Sequence, residues 1–84
     1  MKVLTSVDDL NHLMATTAPR LVVIDYHATW CGPCKLVAPQ YAALSCRHAH
    51  VATFCKVDVD HSQELATFAR IRAMPTFQVL KHPW

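Results

Sequence analysis

The hydrophobic residues of this chain recur with two spacings, which alternate along the sequence. Continuous or alternating apolar runs predict β-strands, whereas apolar residues three and four positions apart predict helices. The strands are predicted at residues 2–5, 21–26, 51–59 and 76–80, with helices between them. This β-α-β-α-β-α-β order predicts an α/β fold with parallel crossovers and helices on both faces of the sheet.

Capping residues and prolines mark the boundaries of the first two helices. Ser6 with Asp9 three positions later forms a capping-box pattern, and Pro19 ends the first helix. The second helix is predicted to begin near Cys31 and to kink at Pro39, because proline lacks the N–H that a helix interior requires. Three apolar residues share one face of this helix: Val37, Tyr41 and Leu44.

A third helix is predicted after residue 59, and it is short. Asp60 with Gln63 three positions later is interpreted as its cap. Leu65, Phe68 and Ala69 follow at helical spacing and are predicted to form its buried side.

Composition limits the protein to a small globular class. The 84 residues, 52% hydrophobic and 17% charged, predict one domain over residues 1–84. A net charge of +2 with scattered basic residues argues against nucleic-acid binding. No run approaches the roughly 20 apolar residues of a membrane span, and residues 1–6 lack the apolar core of a signal peptide. We therefore expect a cytoplasmic protein that does not bind membranes.

Four cysteines carry the candidate chemistry. Cys31 and Cys34 directly follow an apolar strand, and two intervening residues allow them to close a small disulfide ring. The first turn of a helix has unpaired N–H groups that stabilise a thiolate, so this placement predicts dithiol redox chemistry. A structural disulfide and half of a metal site are the alternatives. A zinc site would need two further ligands at finger-like spacing, which Cys46 and Cys55 do not supply, so no metal is expected. Those two cysteines are interpreted as small buried hydrophobic residues.

This chain resembles the thioredoxin family over nearly the whole length of the chain, and five segments carry the resemblance. They are Val22–Tyr26, Ala28–Lys35, Pro39, Lys56–Asp60 and Met74–Phe77. The combination is far more specific than a Cys-x-x-Cys motif alone. It implies a thioredoxin-like three-layer α/β/α fold, here with four strands and three helices.

The resemblance implies distinct roles for the residues of the motif. Cys31 is expected to be the nucleophile and Cys34 the resolving thiol, with a redox disulfide between them. Cys31 is expected to point its sulfur outward, with Cys34 one turn inward. Gly32 and Pro33 are expected to tune the dithiol by holding it near ring-closing geometry, as in the reductant members of the family.

A lone carboxylate, Asp25, lies in the apolar second strand. Burial raises the pKa of a carboxylate, which would prepare Asp25 to accept the proton of Cys34. Lys56 in the neighbouring strand matches the family pattern as its partner. The alternative is a buried ion pair with a purely structural role.

Three further residues are expected to bind substrate. Trp30 offers a flat apolar face beside the dithiol, and the backbone of Met74 is expected to pair with an extended substrate. Pro75 matches the cis-proline of the family. A core position for Trp30 and a trans-proline at the start of an edge strand are the alternatives. His27 shares a strand face with Asp25, and it either tunes the dithiol or has no function of its own.

The resemblance implies a thiol–disulfide oxidoreductase that acts on protein disulfides. It implies no bound cofactor and an NADPH-dependent thioredoxin reductase as the electron donor. The family continues with a fifth strand and a C-terminal helix that this sequence lacks, so a truncated, weakly catalytic or non-catalytic binding module is the alternative. The last predicted strand would then be an open edge able to self-associate. Three residues of this strand are expected to lose part of the cover that the missing helix would give: Phe77, Val79 and Leu80. Trp84 is expected to replace that cover in part.

Overall fold

The computed structural model describes residues 1–82, and the predicted order of four strands and three helices is confirmed within them. The expected position of Trp84 lies outside the described residues. The elements are β1 (Lys2–Val3), α1 (Val7–Thr17), β2 (Leu21–His27), α2 (Gly32–Arg47), β3 (Ala52–Asp58), α3 (Gln63–Phe68) and β4 (Thr76–Leu80). Ser6 caps α1 as predicted, because its Oγ accepts a hydrogen bond from the Asp9 N–H at 3.0 Å.

The four strands form one sheet in the order β1-β3-β2-β4. The strands β1, β3 and β2 are parallel, but β4 runs antiparallel to β2. The prediction of parallel crossovers is therefore wrong for the last connection. A six-residue helix such as α3 is about 9 Å long, whereas a seven-residue strand spans roughly 23 Å. This short helix does not return the chain to the opposite end of the sheet.

Alternate residues of β2 point to two different layers of helices. Val22, Ile24 and Tyr26 lie in the main core with residues of α1 and α3, on what we call the α1–α3 face. Val23 and Asp25 point to α2, on what we call the α2 face. The main core consists of Leu4, Leu10, Leu13, Val22, Ile24, Tyr26, Cys55, Val57 and Leu65. The expected three-layer α/β/α arrangement is thus present.

Tyr41 attaches α2 to the sheet. Its ring lies 5.6 Å from the rings of both Phe54 and Phe77, measured between centroids. Its hydroxyl lies 3.1 Å from the Val23 carbonyl oxygen and 2.8 Å from that of Cys55, so one O–H group is shared between two strands. Tyr41 is buried as its periodicity predicts, but Leu44 on the same predicted helix face is exposed.

The strand β4 divides its side chains between the two faces. Phe77 and Val79 lie on the α2 face and are 47% and 62% exposed, as the sequence predicts. Leu80 pairs with Val22 and packs against the main core instead. Alternation along β4 places Leu80 on the other face from Phe77, where it is partly buried.

Three predictions about individual positions are also wrong. The cap of α3 is Ser62 rather than Asp60, whose carboxylate is engaged elsewhere. Phe68 is exposed, because the buried residues of α3 are Leu65 and Ala66 and Phe68 lies about 110° around the helix from their midpoint. Cys46 is exposed on α2, whereas Cys55 is buried as predicted.

Candidate active site

The candidate site lies where β2 ends and α2 begins. Cys31 is the N-cap of α2, and its Sγ accepts a hydrogen bond from the Cys34 N–H at 3.2 Å. A sulfur atom thus occupies the position that a serine oxygen takes in an ordinary cap. Pro33 lies in the first turn, where its missing N–H costs no helical hydrogen bond. This sequence therefore starts a helix with a sulfur atom at its positive end.

Cys31 and Cys34 form a disulfide, with their Cα atoms 5.3 Å apart. The two residues are 4% and 5% exposed, so the expectation that Cys31 alone points outward is wrong for the disulfide form. Each sulfur covers the other, and Val59 and Met74 pack against the small apolar cluster that the two cysteines form with Ala28.

Gly32 has no packing role that requires glycine. A Cβ atom built on this residue would meet no other heavy atom within 4 Å, and its φ angle is not positive. Packing in the free protein therefore does not require glycine at position 32.

Asp25 is buried directly behind the disulfide. It is 1% exposed, and its Oδ1 atom has no hydrogen-bond partner among the described residues. Burial raises the pKa of Asp25, while the charges of His27 and, to a smaller extent, Lys56 lower it. Lys56 is its register partner on β3. The carboxyl group is consequently a buried acid with a raised proton affinity.

A crevice of about 120 Å³ is shared by Asp25 and Cys34. It lies between the sheet and α2, and it brings together Asp25, Lys56 and Cys34, as the sequence predicts. Its lining consists of Asp25, His27, Ala28, Thr29, Cys34, Lys35, Ala38 and Lys56. The crevice gives Cys34 a polar neighbourhood that the apolar side of the disulfide lacks.

The predicted substrate-binding residues lie on the other side of the disulfide. The Met74–Pro75 peptide bond is cis, as the resemblance implies, and Met74 packs against the cysteine cluster. Trp30 is 66% exposed, so the alternative of a core position is wrong. Its indole Nε1–H donates a hydrogen bond to Asp60 Oδ2 at 2.9 Å, which fixes the ring next to Cys31.

Comparison with known proteins identifies the family. The family model for thioredoxin matches residues 3–83 of the chain. The chain belongs to the thioredoxin family. The Cys31–Cys34 disulfide lies within the matched residues.

Several thioredoxins match most of the chain. It is 42% identical to thioredoxin of Coprinus comatus over 82 residues, which cover 96% of this chain and 76% of that protein. The X-ray structure of Fasciola hepatica thioredoxin superposes with a TM-score of 0.92 at 43% identity, covering 96% of this chain and 77% of that one.

Longer relatives are matched over part of their length. The rat protein Thioredoxin domain-containing protein 8 is 44% identical over 77 residues, and this match covers 92% of the present chain. The chain spans 60% of the length of that protein and 64% of its mouse counterpart.

The site has two features that local sequence patterns do not predict. Asp60 matches a helix-cap pattern in the sequence, but in the structure it is the hydrogen-bond partner of Trp30. The signal for this role is that an acidic residue just after β3 lies at the sheet end where the site forms. Lys35 contributes a second cation to the crevice. Its position one residue after Cys34 is the only signal of that role in the sequence.

Neither a metal site nor a membrane span is found in the described part of the chain. Over residues 1–82, no three His, Cys, Asp or Glu side chains converge closely enough to hold a metal ion. The helices described here are all too short or too polar to cross a membrane.

Proposed function

We propose that this chain is a thiol–disulfide oxidoreductase that reduces disulfides in proteins. The observation that carries the proposal is the Cys31–Cys34 disulfide at the start of α2, backed by the buried carboxyl group of Asp25. The dithiol itself carries the electrons, so the reaction needs no bound cofactor.

In the first step, the Cys31 thiolate of the reduced protein attacks one sulfur of a substrate disulfide. The substrate S–S bond breaks, a mixed disulfide forms at Cys31, and the other substrate sulfur leaves as a thiolate that takes a proton from water. The N-terminus of α2 stabilises the attacking thiolate, since its unpaired N–H groups and dipole favour negative charge. The Cys34 N–H already donates to Cys31 Sγ in the disulfide form.

In the second step, Cys34 resolves the mixed disulfide. Its thiol gives a proton to the Asp25 carboxylate and attacks Cys31 Sγ, which releases the second substrate sulfur. Two electrons have then passed from the protein dithiol to the substrate. The crevice shared by Asp25 and Cys34 and the raised pKa of Asp25 support this role, and Lys56 supplies a balancing charge.

We further propose that an extended substrate segment lies across Trp30, Met74 and Pro75. The exposed indole provides an apolar contact, and the Met74 backbone provides strand-like hydrogen bonds. An NADPH-dependent thioredoxin reductase is the proposed electron donor, which returns two electrons to the Cys31–Cys34 disulfide. A cytoplasmic location fits this scheme, because the cytosol keeps thiols reduced.

The test is reduction of insulin by the full chain with NADPH and thioredoxin reductase. Cys31→Ser is expected to abolish NADPH consumption, whereas Cys34→Ser is expected to accumulate a mixed disulfide with insulin that mass spectrometry detects. Cys46→Ser, at an exposed cysteine far from the site, is the matched control and keeps native activity. Equal trapping of insulin by both active-site variants would contradict the assigned roles.

A second candidate function is a binding module that associates with a second copy of itself. Its support is the free edge of β4 within the described sheet, together with the exposed Phe77 and Val79. An unpaired strand edge offers backbone groups to another strand. Absence of insulin reduction by a chain that still forms its disulfide and dimerises would favour this candidate over the oxidoreductase.

A further inference from the structure

His27 lies at the crevice that is shared by Asp25 and Cys34. It is the last residue of β2, it is half-buried, and alternation along the strand puts it on the same face as Asp25. Both side chains line the crevice of about 120 Å³ together with Cys34. An imidazole therefore shares a confined space with the proposed proton acceptor and with the thiol that gives up its proton.

The other charged groups around His27 are few. The strand β3 presents Lys56 and Asp58, the register partners of Asp25 and His27, and α2 presents Lys35 beside the Cys34 thiol. The strand β4 carries no titratable side chain over residues 76–80. Asp58 Oδ1 already accepts hydrogen bonds from the backbone N–H groups of residues 60 and 61, at 2.9 and 3.3 Å.

Asp25 is the buried carboxylate that lines this crevice together with His27. Its Oδ1 atom is buried and has no hydrogen-bond partner among the described residues, so its negative charge depends on the nearby charges of His27 and Lys56. Lysine side chains keep their charge across the physiological range, whereas histidine is the residue type whose charge changes between about pH 5 and 8. Of the two basic residue types that line the crevice, histidine is therefore the one whose charge can change in that interval.

We propose that His27 is a positioning residue for the resolving step, whose positive charge holds Asp25 ionised so that Asp25 accepts the proton of Cys34 even at acidic pH. This inference rests on the proposed oxidoreductase function, and it adds a residue to that reaction. The proton moves from Cys34 Sγ to an Asp25 oxygen, and His27 changes only how readily that oxygen is available.

The electrostatics of Asp25 agree in sign with this role. Burial raises the pKa of Asp25, and the charge of His27 opposes that effect more strongly than the charge of Lys56 does. With His27 protonated, Asp25 stays ionised to a lower pH than burial alone would allow. Without that charge, the acid limb of the resolving rate moves to higher pH.

Stopped-flow reaction of the reduced full chain with an aromatic disulfide such as dithiobis(nitrobenzoate) separates the two steps. Attack by Cys31 releases one coloured thiolate, and resolution by Cys34 releases the second. His27→Gln removes the charge while keeping a polar side chain, and His27→Lys makes the charge permanent. His12→Gln, at an exposed histidine on α1, is the control for loss of an imidazole.

The expected result is a change confined to the second phase. In His27→Gln the acid limb moves up by about half a pH unit, which slows resolution about threefold on that limb and leaves the plateau at higher pH unchanged. His27→Lys is expected to keep the native acid limb, and His12→Gln to match the native chain throughout. Titration of the Asp25 carboxyl carbon by NMR is expected to move upward in His27→Gln, which measures the same effect without turnover.

A double-variant cycle distinguishes this role from a structural one. If His27 acts through Asp25, the effect of His27→Gln on the second phase disappears in an Asp25→Asn background. Superimposable second-phase profiles for native chain and His27→Gln, or a shift that persists without Asp25, would overturn the inference while leaving the oxidoreductase intact. Absence of any second phase in the native chain would instead overturn both proposals.

Discussion

On the α1–α3 face, β2 contributes Val22, Ile24 and Tyr26 to a core whose members are almost completely buried. On the α2 face, the alternate residues of β2 include Asp25 and His27, which lie beside the candidate dithiol. The first face is covered by two helices and contains mostly apolar side chains. The second is partly open and contains the polar side chains of the proposed reaction. Successive residues of β2 therefore alternate between the stabilising core and the candidate site.

The comparison also separates residues by what their burial contributes. Complete burial of a large apolar side chain contributes about 1.5–3 kcal/mol, so the α1–α3 face provides most of the stability of this small fold. On the α2 face, Val79 is largely exposed and Asp25 is buried at a cost. We infer that substitutions on the two faces have different, and in one case opposite, effects on stability.

The largest expected difference between the faces concerns Leu65 and Val79. Leu65→Ala removes a fully buried side chain from the main core, and we expect a loss of about 2–5 kcal/mol in the free energy of unfolding. Val79→Ala removes a side chain that is 62% exposed, and we expect a change within about 0.5 kcal/mol. Urea denaturation followed by circular dichroism measures both. A loss for Val79→Ala as large as that for Leu65→Ala would break the distinction between the faces.

Asp25→Asn is expected to raise the free energy of unfolding near neutral pH by about 1–3 kcal/mol, because it removes a buried charge that lacks a hydrogen-bond partner on Oδ1. Turnover is expected to slow at the same time. The pKa of Asp25 is raised above 3.8 by folding, so the native state binds its proton more tightly than the unfolded state does. The native chain therefore loses stability as pH rises from 3.8 through the raised pKa.

The advantage of Asp25→Asn should consequently vanish below pH 3.8, where both states of the native chain are protonated. Asp9→Asn is a control of opposite sign, because hydrogen bonds from Thr5 lower the pKa of Asp9. That variant should lose stability at neutral pH. Thermal denaturation across the acidic range measures both, and a pH-independent gain for Asp25→Asn would show that its buried charge is not the cause.

The open edge of β4 leads to a prediction about association. We expect the native chain to bind a hydrophobic dye and to dimerise with increasing concentration, through β4 and the exposed Phe77 and Val79. Val79→Lys should reduce the dimer fraction several-fold with little change in melting temperature. Sedimentation velocity measures the dimer. A native chain that stays monomeric at all concentrations and binds no dye would show that this face is not adhesive.

The smallest expected effect is that of Gly32→Ala at the active site. A methyl group there meets no neighbour within 4 Å, and alanine restricts the unfolded chain. We expect a gain of about 0.4–1 kcal/mol in stability. A lower melting temperature would mean that Gly32 is needed for folding. A changed reductase rate at unchanged stability would instead assign Gly32 to substrate contact or redox tuning.

Local sequence patterns predict the features that depend only on residues adjacent in the chain. The apolar run that becomes β2 and the Cys-Gly-Pro-Cys start of α2 are visible because strand alternation and helix capping depend on adjacent residues. The pairing of Asp25 with Lys56 is implied by the family resemblance. The parallel register of β2 and β3 places these two residues side by side.

Other features depend on contacts between distant residues and have no local signal. The antiparallel direction of β4 is determined by how far α3 carries the chain, not by the alternation of β4 itself. The exposure of Phe68 and Cys46 depends on which helix face meets the sheet. The hydrogen bond from Trp30 to Asp60 joins residues 30 positions apart, and neither residue's neighbours indicate it.

The central position of β2 has a consequence for hydrogen exchange. Its backbone is bonded to β3 on one side and to β4 on the other, whereas β1 consists of two residues bonded to a single neighbour. Amides of β2 should take up deuterium only when the whole domain unfolds, while those of β1 exchange through local fraying. The strand that carries Asp25 should thus be the slowest-exchanging segment, and the two cysteines follow shortly after its end. Isotope uptake along β2 therefore reports the global stability of the protein, and uptake at the α2 N-terminus reports the redox site separately.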